Sequence, residues 1–224
     1  MTVRLHLVRH AESTWNAEGR IQGRADPALS EQGLWQARRL ADRFRQQRFD
    51  ALYSSPQQRA RQTAERIAEV TGLPVQLDNR LMEHDTGVFT GLVWEQVVDR
   101  FPDFAKIFIE QSPDMPDGEK RADLRARTSS VMQEIVAAHP GGSVVVVTHG
   151  GLMGAYLVDL LGLDPQRRHP FEFENGSISV VDVGGAVPKL RRLNDVCHLS
   201  PPVSSSVSLG VGSSSDDSGD GPVG

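Results

Sequence analysis

The chain has 224 residues, a formal net charge of −5 and a single cysteine. This length suits one α/β domain with a sizeable core. The mild negative charge gives no overall footprint for nucleic acid or an anionic membrane, and one cysteine excludes an intrachain disulfide. No apolar run is long enough to span a bilayer, and the amino terminus lacks the apolar region of a signal peptide. We therefore expect a cytoplasmic protein with no membrane partner.

Strand patterns and helix patterns alternate along most of the chain. The first strand leads to Arg9, and a stretch without a clean period at 15–27 predicts a loop. Ser30 is a typical helix N-cap before a segment with apolar residues at helical spacing. A second short strand at 50–54 leads to Ser55 and Pro56, which we expect to be the cap and first residue of the next helix. Val75 to Leu77 predicts a third strand.

The second half continues the alternation. Residues 93–110 predict two helical pieces separated at Pro102. The run "SVVVVT" at 143–148 is typical of a central parallel strand. Two further strand patterns, at 177–183 and 187–193, predict a hairpin at one edge of the sheet. This order predicts an α/β fold with three layers, α/β/α, around a mostly parallel central sheet.

The composition changes at Leu199, where serine, glycine, proline, valine and aspartate become dominant. Such a segment has little apolar surface to bury. We therefore expect residues 1–198 to form one domain and residues 199–224 to form a disordered tail.

Basic side chains follow three of the predicted strands. Arg9 and His10 come at the end of the first strand, Arg59 lies in the first turn of the helix after the second strand, and His149 follows the run at 143–148. Ligands of such sheets bind outside the carboxyl ends of the strands. We therefore expect these four side chains to converge.

Two arginines and two histidines, with the main-chain N–H groups of Gly150 and Gly151, make a pocket for a dianion such as phosphate. Two arginines supply the charge neutralisation that phosphoryl transfer needs without a metal. His10 can act as the nucleophile if it is neutral, and the nearby arginines disfavour its charged form. Glu83, in a glycine-punctuated loop, is the best candidate for the general acid that protonates the leaving group.

Simpler interpretations exist for each of these features in isolation. A single histidine at a strand end is usually structural, and an arginine on a helix is usually solvated. The triplet at 83–85, Glu-His-Asp, contains metal-binding residue types, but adjacent residues seldom reach one ion together. The arginine-rich face at 38–48 is a possible nucleic-acid surface, although no aromatic residues interleave with its arginines.

Four motifs occur together in a recognisable order: "LVRHAESTWN", "SSPQQRARQTA", "LMEHDTGVFTG" and "VVVVTHGG". In this order and approximate spacing they resemble the histidine phosphatase superfamily, which has the phosphoglycerate mutase-like fold. The resemblance covers roughly residues 3–199. It implies a metal-independent enzyme without a cofactor, and a homodimer is compatible with it. By this resemblance, the phospho-accepting nucleophile is His10 and the proton donor is Glu83. The resemblance also implies a phosphate pocket that holds Arg9, Arg59, His149 and Asn16. It places Gln22, Gly23 and Gly150 beside phosphate and substrate.

Three departures bear on the choice within this family. Ala11 stands where the commonest motif has glycine, "EHDTG" at 83–87 stands where cofactor-dependent mutases show "ERHYG", and the region at 92–122 lacks the long mutase insertion. The last two favour a phosphatase that hydrolyses a small phosphorylated metabolite through a phosphohistidine. The alternatives are a cofactor-dependent phosphoglycerate mutase and a non-catalytic phosphate-binding module. The physiological substrate stays open, and by position the candidate specificity residues are Arg20, Arg24, His84, Phe89 and the loop at 112–118.

Overall fold

The computed structural model describes residues 1–200 of the chain. The strands are β1 Val3–Arg9, β2 Ala51–Ser54, β3 Val75–Leu77, β4 Ser143–Thr148, β5 Ile178–Val183 and β6 Lys189–Asp195. They form one sheet in the order β3-β2-β4-β1-β5-β6. β3, β2, β4 and β1 pair with one another in parallel, whereas β5 pairs antiparallel with both β1 and β6, and β5 and β6 form a hairpin. The mostly parallel sheet and the hairpin at its edge are both confirmed.

The helices are α1 Thr14–Ala17, α2 Glu31–Phe44, α3 Gln58–Thr71, α4 Trp94–Arg100, α5 Pro102–Glu110, α6 Arg121–Ala138 and α7 Gly150–Leu160. Helices cover the two faces of the sheet. Because side chains alternate along a strand, Leu5 and Leu7 of β1 point to the face packed by α6 and α7, while Val8 points to the opposite face, packed by α2 and α3. β4 lies between β2 and β1, and its four valines are fully buried. The three-layer architecture is therefore confirmed.

Local sequence explains most helix boundaries. The hydroxyl of Ser30 caps α2 by accepting a hydrogen bond from the N–H of Gly33, as expected. Pro102 begins α5 and separates it from α4, which confirms the two predicted pieces. Within the predicted loop at 15–27, the structure has instead the end of a one-turn helix, because Ser13 caps α1.

The predicted start of α3 is wrong. Gln57 is the N-cap and makes no side-chain cap bond, so Pro56 stands before the helix. The hydroxyl of Ser55 contacts Nε2 of His149 at 2.9 Å. Ser55 thus belongs to the edge of the sheet at the carboxyl end of β2 rather than to the helix.

The carboxyl ends of β1, β2 and β4 meet at one edge of the sheet. The N–H of His10 donates to the carbonyl of Thr148 at 2.9 Å, and the N–H of Ser55 donates to the carbonyl of Val147 at 3.0 Å. The first residue beyond each strand is therefore fixed by its neighbour's backbone, which brings His10, Ser55 and His149 together.

The domain reaches the end of the described range. A turn of 3-10 helix spans Cys197–Leu199, and the side chain of His198 is buried with its Nε2 atom 3.1 Å from the carbonyl of Gly176. The tail predicted from residue 199 lies, beyond Ser200, outside the described residues. Among residues 1–200 there is no helix with the length and apolar character needed to cross a bilayer.

Candidate active site

His10 lies just beyond the carboxyl end of β1 and is only 3% exposed. Its Nδ1 atom donates a hydrogen bond to the carbonyl of Ala11 at 2.7 Å. Because a carbonyl can only accept, the ring proton is on Nδ1 and Nε2 keeps its lone pair. Burial, followed by the positive charges of Arg59 and Arg9, holds the pKa of His10 well below its usual value. The imidazole is therefore neutral and has the tautomer that a nucleophile needs.

His149 lies beside His10, with the two ring centroids 5.1 Å apart. The hydroxyl of Ser55 accepts from the N–H of Gln57 at 3.3 Å, which leaves its proton free to donate to Nε2 of His149. The Nδ1 atom of His149 is buried and has no partner among the described residues. Burial and neighbouring positive charge, from Arg59 first, hold the pKa of His149 well below its usual value. The imidazole of His149 is thus also neutral and packs against that of His10.

Arg9 and Arg59 donate to main-chain carbonyls rather than to carboxylates. Arg59 is fully buried and donates to the carbonyls of Ala25 at 2.8 Å and Gly23 at 3.1 Å, while Arg9 donates to the carbonyl of Phe173. Burial lowers the pKa of Arg59 to about 10 and also lowers the pKa of Arg9. Both side chains stay positive at neutral pH, and their Nε atoms have no partner within residues 1–200. Their charge is therefore left for an anionic ligand.

The carboxyl group of Glu83 sits at the first turn of α7. It accepts hydrogen bonds from the N–H of Gly151 at 3.2 Å and from the N–H of His84 at 2.8 Å. A Cβ atom at position 151 would lie 2.5 Å from Oε1 of Glu83, so any larger residue there would displace this carboxyl. The expectation that the N–H of Gly151 belongs to the phosphate pocket is therefore corrected, because that N–H holds the candidate acid.

The amide side chains of Asn16 and Gln22 and the backbone of Gly23 lie on the same side of the site as His10, and we call this side the inner wall. The amide oxygen of Asn16 accepts from Asn175 at 3.2 Å, and that of Gln22 lies 2.9 Å from the hydroxyl of Ser13, which leaves both amide nitrogens as donors for a ligand. Gly23 has a φ of +49°, and a Cβ atom there would lie 2.3 Å from Oγ1 of Thr86. The backbone conformation and the close packing both require glycine at this position.

These groups open into a cavity of about 320 Å³, which is the size of a site for a small molecule. Seven of the predicted site residues line it: Arg9, His10, Asn16, Gln22, Gly23, Arg59 and Glu83. The other two do not line it: the ring of His149 packs against that of His10, and Gly150 lies against the side chain of Arg9. The candidate specificity residues Arg20 and His84 and part of the loop at 112–118 also line the cavity.

Two other specificity candidates are placed elsewhere by their own contacts. Arg24 is turned toward the sulfur of Met82, with Nη2 3.8 Å from Glu119. Phe89 is buried against Phe101 and Phe104, with ring centroids 5.1 and 4.4 Å from its own. Both residues support the wall of the cavity rather than face its interior.

The outer wall contains residues that the sequence did not single out. Phe108 of α5, Arg121 of α6, and Arg168 and His169 after α7 face the same cavity. They come from three segments that are distant in sequence, and only Met115 and Ser112 of the outer wall lay in a loop already expected at the rim. No spacing pattern in the chain connects them.

The metal-binding alternative finds no support at residues 83–85. His84 uses its Nε2 atom on the carbonyl of Glu119 at 2.7 Å, and Asp85 accepts from the N–H of Gly87 at 3.0 Å. In the described part of the chain, no three side chains of His, Cys, Asp or Glu are grouped to hold a metal ion.

Fold and site together define a class of protein: an α/β enzyme whose basic pocket lies at the carboxyl ends of parallel strands. The model of the histidine phosphatase superfamily (branch 1) matches residues 5–196. The chain belongs to this family, and the resemblance expected from the four motifs is confirmed.

Similar proteins are named for two different activities, phosphoserine phosphatase and phosphoglycerate mutase. Phosphoserine phosphatase 1 from Hydrogenobacter thermophilus is 37% identical over 199 residues, which cover 88% of this chain and 94% of that protein. A metal-independent phosphoserine phosphatase from Arabidopsis thaliana is 34% identical over 87% of this chain and 82% of its own length. A probable phosphoglycerate mutase from an Enterobacter species is 31% identical over 89% and 96%.

Solved structures show the same fold. A phosphoserine phosphatase from Entamoeba histolytica in complex with 3-phosphoglyceric acid superposes with a TM-score of 0.78 at 27% identity. The match covers 88% of this chain and all of that chain. The phosphoglycerate mutase-like architecture expected from the motifs is thereby confirmed.

Proposed function

We propose that the protein is a metal-independent phosphomonoesterase that hydrolyses small phosphorylated metabolites through a covalent phosphohistidine at His10. One observation carries the proposal. The ring of His10 is buried, neutral and fixed by the carbonyl of Ala11, and it lies next to two arginines that form no ion pair with a carboxylate in the described part of the chain. This is the arrangement that an in-line attack on a phosphate dianion needs.

The reaction follows from the placement of these groups. Nε2 of His10 attacks phosphorus, the ester P–O bond breaks, and the leaving oxygen takes a proton from Glu83. The ionised Glu83 then removes a proton from a water molecule, which attacks the phosphohistidine and breaks its P–N bond. Phosphate leaves, His10 is neutral again and Glu83 is protonated again. Arg9 and Arg59 balance the oxyanion charge throughout.

A direct assay tests the proposal. The purified protein should release phosphate from an aryl phosphate in the presence of excess EDTA, at the same rate as without the chelator. Rapid acid quenching is unsuitable for a phosphohistidine, so the intermediate is sought by alkaline quenching and intact mass. A protein that releases no phosphate from any ester, or that loses its activity in EDTA, would contradict the proposal.

The similarity to a probable phosphoglycerate mutase makes that activity the second candidate. A mutase must keep its phosphoenzyme long enough to rephosphorylate a bound product. Conversion of 3-phosphoglycerate is therefore measured with and without 2,3-bisphosphoglycerate. Hydrolysis that is faster than isomerisation under both conditions supports the phosphatase, and the reverse supports the mutase.

A cytoplasmic location and a homodimer are part of the same proposal. The single cysteine, Cys197, is exposed and free, which fits a reducing compartment. The homodimer rests on the family resemblance alone. Cell fractionation and light scattering of the purified protein test these two points.

A further inference from the structure

Arg121 also faces the cavity, and among residues 1–200 its side chain has no carboxylate partner. Arg121 is the first residue of α6, and its Nε atom donates to the carbonyl of Pro113 at 3.3 Å. The nearby carboxylate of Asp114 accepts from the main-chain N–H of Arg121 at 2.8 Å, and within residues 1–200 the guanidinium forms no ion pair. Burial lowers the pKa of Arg121, as it does at Arg9 and Arg59.

Other arginines of the same helix are neutralised. Arg127 pairs with Glu119 at 2.6 Å, and Arg125 pairs with Asp159 at 2.5 Å. Pairing with a carboxylate is therefore the ordinary state of an arginine on α6. The exception at Arg121 coincides with the position that opens into the cavity.

The surroundings of Arg121 also favour a negative ligand. Arg168 lies across Phe108 with its guanidinium 5.0 Å from the ring centroid, and Glu83 is the only carboxylate residue on the described cavity wall. His169 packs against Gly154, where a Cβ atom would lie 2.2 Å from its Nε2 atom. Its Nδ1 atom is buried and unpartnered among the described residues. The outer cavity thus combines two cations with a fixed imidazole.

We propose that Arg121 binds a second anionic group of the substrate, a carboxylate, and so directs the enzyme toward phosphorylated small acids. Arg9 and Arg59 already match the charge of a phosphate dianion beside His10, which leaves Arg121 for another group. A guanidinium fork matches a carboxylate in geometry. The volume of about 320 Å³ keeps the two anionic groups of the ligand within one small molecule. The inference rests on the proposed phosphatase activity and names its substrate class.

Matched substrate pairs test the inference. Phosphoserine is compared with phosphoethanolamine, which lacks only the carboxylate, and 3-phosphoglycerate is compared with glycerol 3-phosphate. We expect kcat/KM to favour each acid by about 10- to 100-fold, as a charge-assisted hydrogen bond predicts. In Arg121→Gln this preference should fall to about 3-fold or less, mainly through a higher KM for the acids.

Arg125→Gln is the matched control. It removes an arginine from the same helix, one turn further on, whose partner is Asp159 and which does not line the cavity. Its substrate preference should equal that of the wild type. Arg121→Lys should restore part of the preference, because it keeps the charge but loses the fork. Thermal unfolding of every variant checks that the fold is intact.

Two results would overturn the inference: a wild-type enzyme that does not discriminate within the pairs, or an Arg121→Gln variant that slows all four substrates equally. If no ester is hydrolysed at all, the proposed function fails instead. Binding to the His10→Ala variant, measured by calorimetry with phosphoserine and phosphoethanolamine, then tests the role of Arg121 without turnover. A preference for phosphoserine that disappears in His10→Ala/Arg121→Gln supports the inference, and no preference overturns it.

Discussion

Arginines collect at both ends of the sheet, but the two groups are held in different ways. At the amino ends of the strands, Arg4 and Arg191 both donate to the carboxylate of Asp182, at 2.7 and 2.8 Å, beside an open cavity of about 980 Å³. At the carboxyl ends, Arg9 and Arg59 donate to main-chain carbonyls beside a cavity of about 320 Å³. Arg4 and Arg191 thus share one carboxylate, whereas Arg9 and Arg59 form no ion pair among residues 1–200.

The pKa shifts of the arginines have opposite signs at the two ends. The hydrogen bond and charge of Asp182 raise the pKa of Arg4, whereas burial lowers the pKa values of Arg9 and Arg59. A carboxylate partner stabilises the guanidinium in the protein itself, while burial without one leaves it dependent on a ligand. The pairing of the arginines, rather than the size of the adjacent cavity, therefore distinguishes the candidate active site from the opposite end of the sheet.

The largest effect should come from removing the nucleophile. We expect His10→Ala to lower kcat by about 10³-fold or more, since a covalent route needs this side chain. Phosphate release from an aryl phosphate measures the loss. The control is His139→Ala, because His139 lies near the amino ends of the strands, where it contacts Tyr53 at 3.0 Å. An equal loss of kcat in His10→Ala and His139→Ala would contradict the assignment of the reaction to the carboxyl ends of the strands.

The next largest effect should come from the candidate acid. Glu83→Gln keeps the shape of the side chain but cannot transfer its proton, so we expect kcat to fall by about 10²- to 10³-fold for an alkyl phosphate. An aryl phosphate, whose leaving group needs less protonation, should lose less in the step that breaks the ester bond. The two substrates are compared by single-turnover kinetics. The same loss for both would assign Glu83 a positioning role only.

A pair of arginine substitutions tests the comparison most directly. We expect Arg59→Lys to lower kcat/KM by about 10²-fold, because lysine supplies a charge but cannot reproduce the guanidinium fork. Arg4→Lys at the opposite end should leave kcat/KM unchanged. Both variants are assayed with the same substrate after their thermal stability has been measured. Loss of activity in Arg4→Lys with an intact fold would show that the amino end contributes to the reaction.

The smallest effect concerns stability and its dependence on pH. The two arginines, Arg4 first, lower the pKa of Asp182 to about 2 from an ordinary value near 4. A lowered carboxyl pKa stabilises the fold above the unfolded-state value, and this contribution is lost as pH falls toward 2. We expect Asp182→Asn to cost about 1 kcal/mol at pH 7, a figure reduced by solvent screening of the half-exposed arginines. Urea titrations at pH 7 and pH 3 should show the difference between variant and wild type shrink, with activity at pH 7 unaffected.

Much of the fold and the inner site followed from the sequence. The β-branched run at 143–148 and the positions of Arg9, His10, Arg59 and His149 after strands were sufficient, because parallel strands bring their carboxyl ends to one edge. These residues are next to regular elements, so local patterns place them. The predicted start of α3 is wrong because Ser55 is a residue type typical of an N-cap, but its hydroxyl contacts His149 instead of capping the helix.

The outer site could not be predicted in this way. Arg121 begins a helix in a segment with many charged residues, and nothing local distinguishes it from Arg125. Its lack of a carboxylate partner depends on where α5, α6 and the segment after α7 meet in space. Likewise, His169 is positioned by Gly154 of α7, a contact between residues with no shared sequence pattern.

The hydrogen bond from His10 to the carbonyl of Ala11 has a consequence for how this site tolerates sequence change. The acceptor is part of the backbone, so no side-chain substitution deletes it, and the tautomer of His10 is protected against mutation at its own partner. The methyl group of Ala11 is fully buried in a small cluster with Leu29 and Ala37. The side chain therefore serves packing, while the carbonyl of the same residue binds His10. A change of side chain at position 11 therefore alters local packing but leaves in place the main-chain atom that sets the proton of the nucleophile.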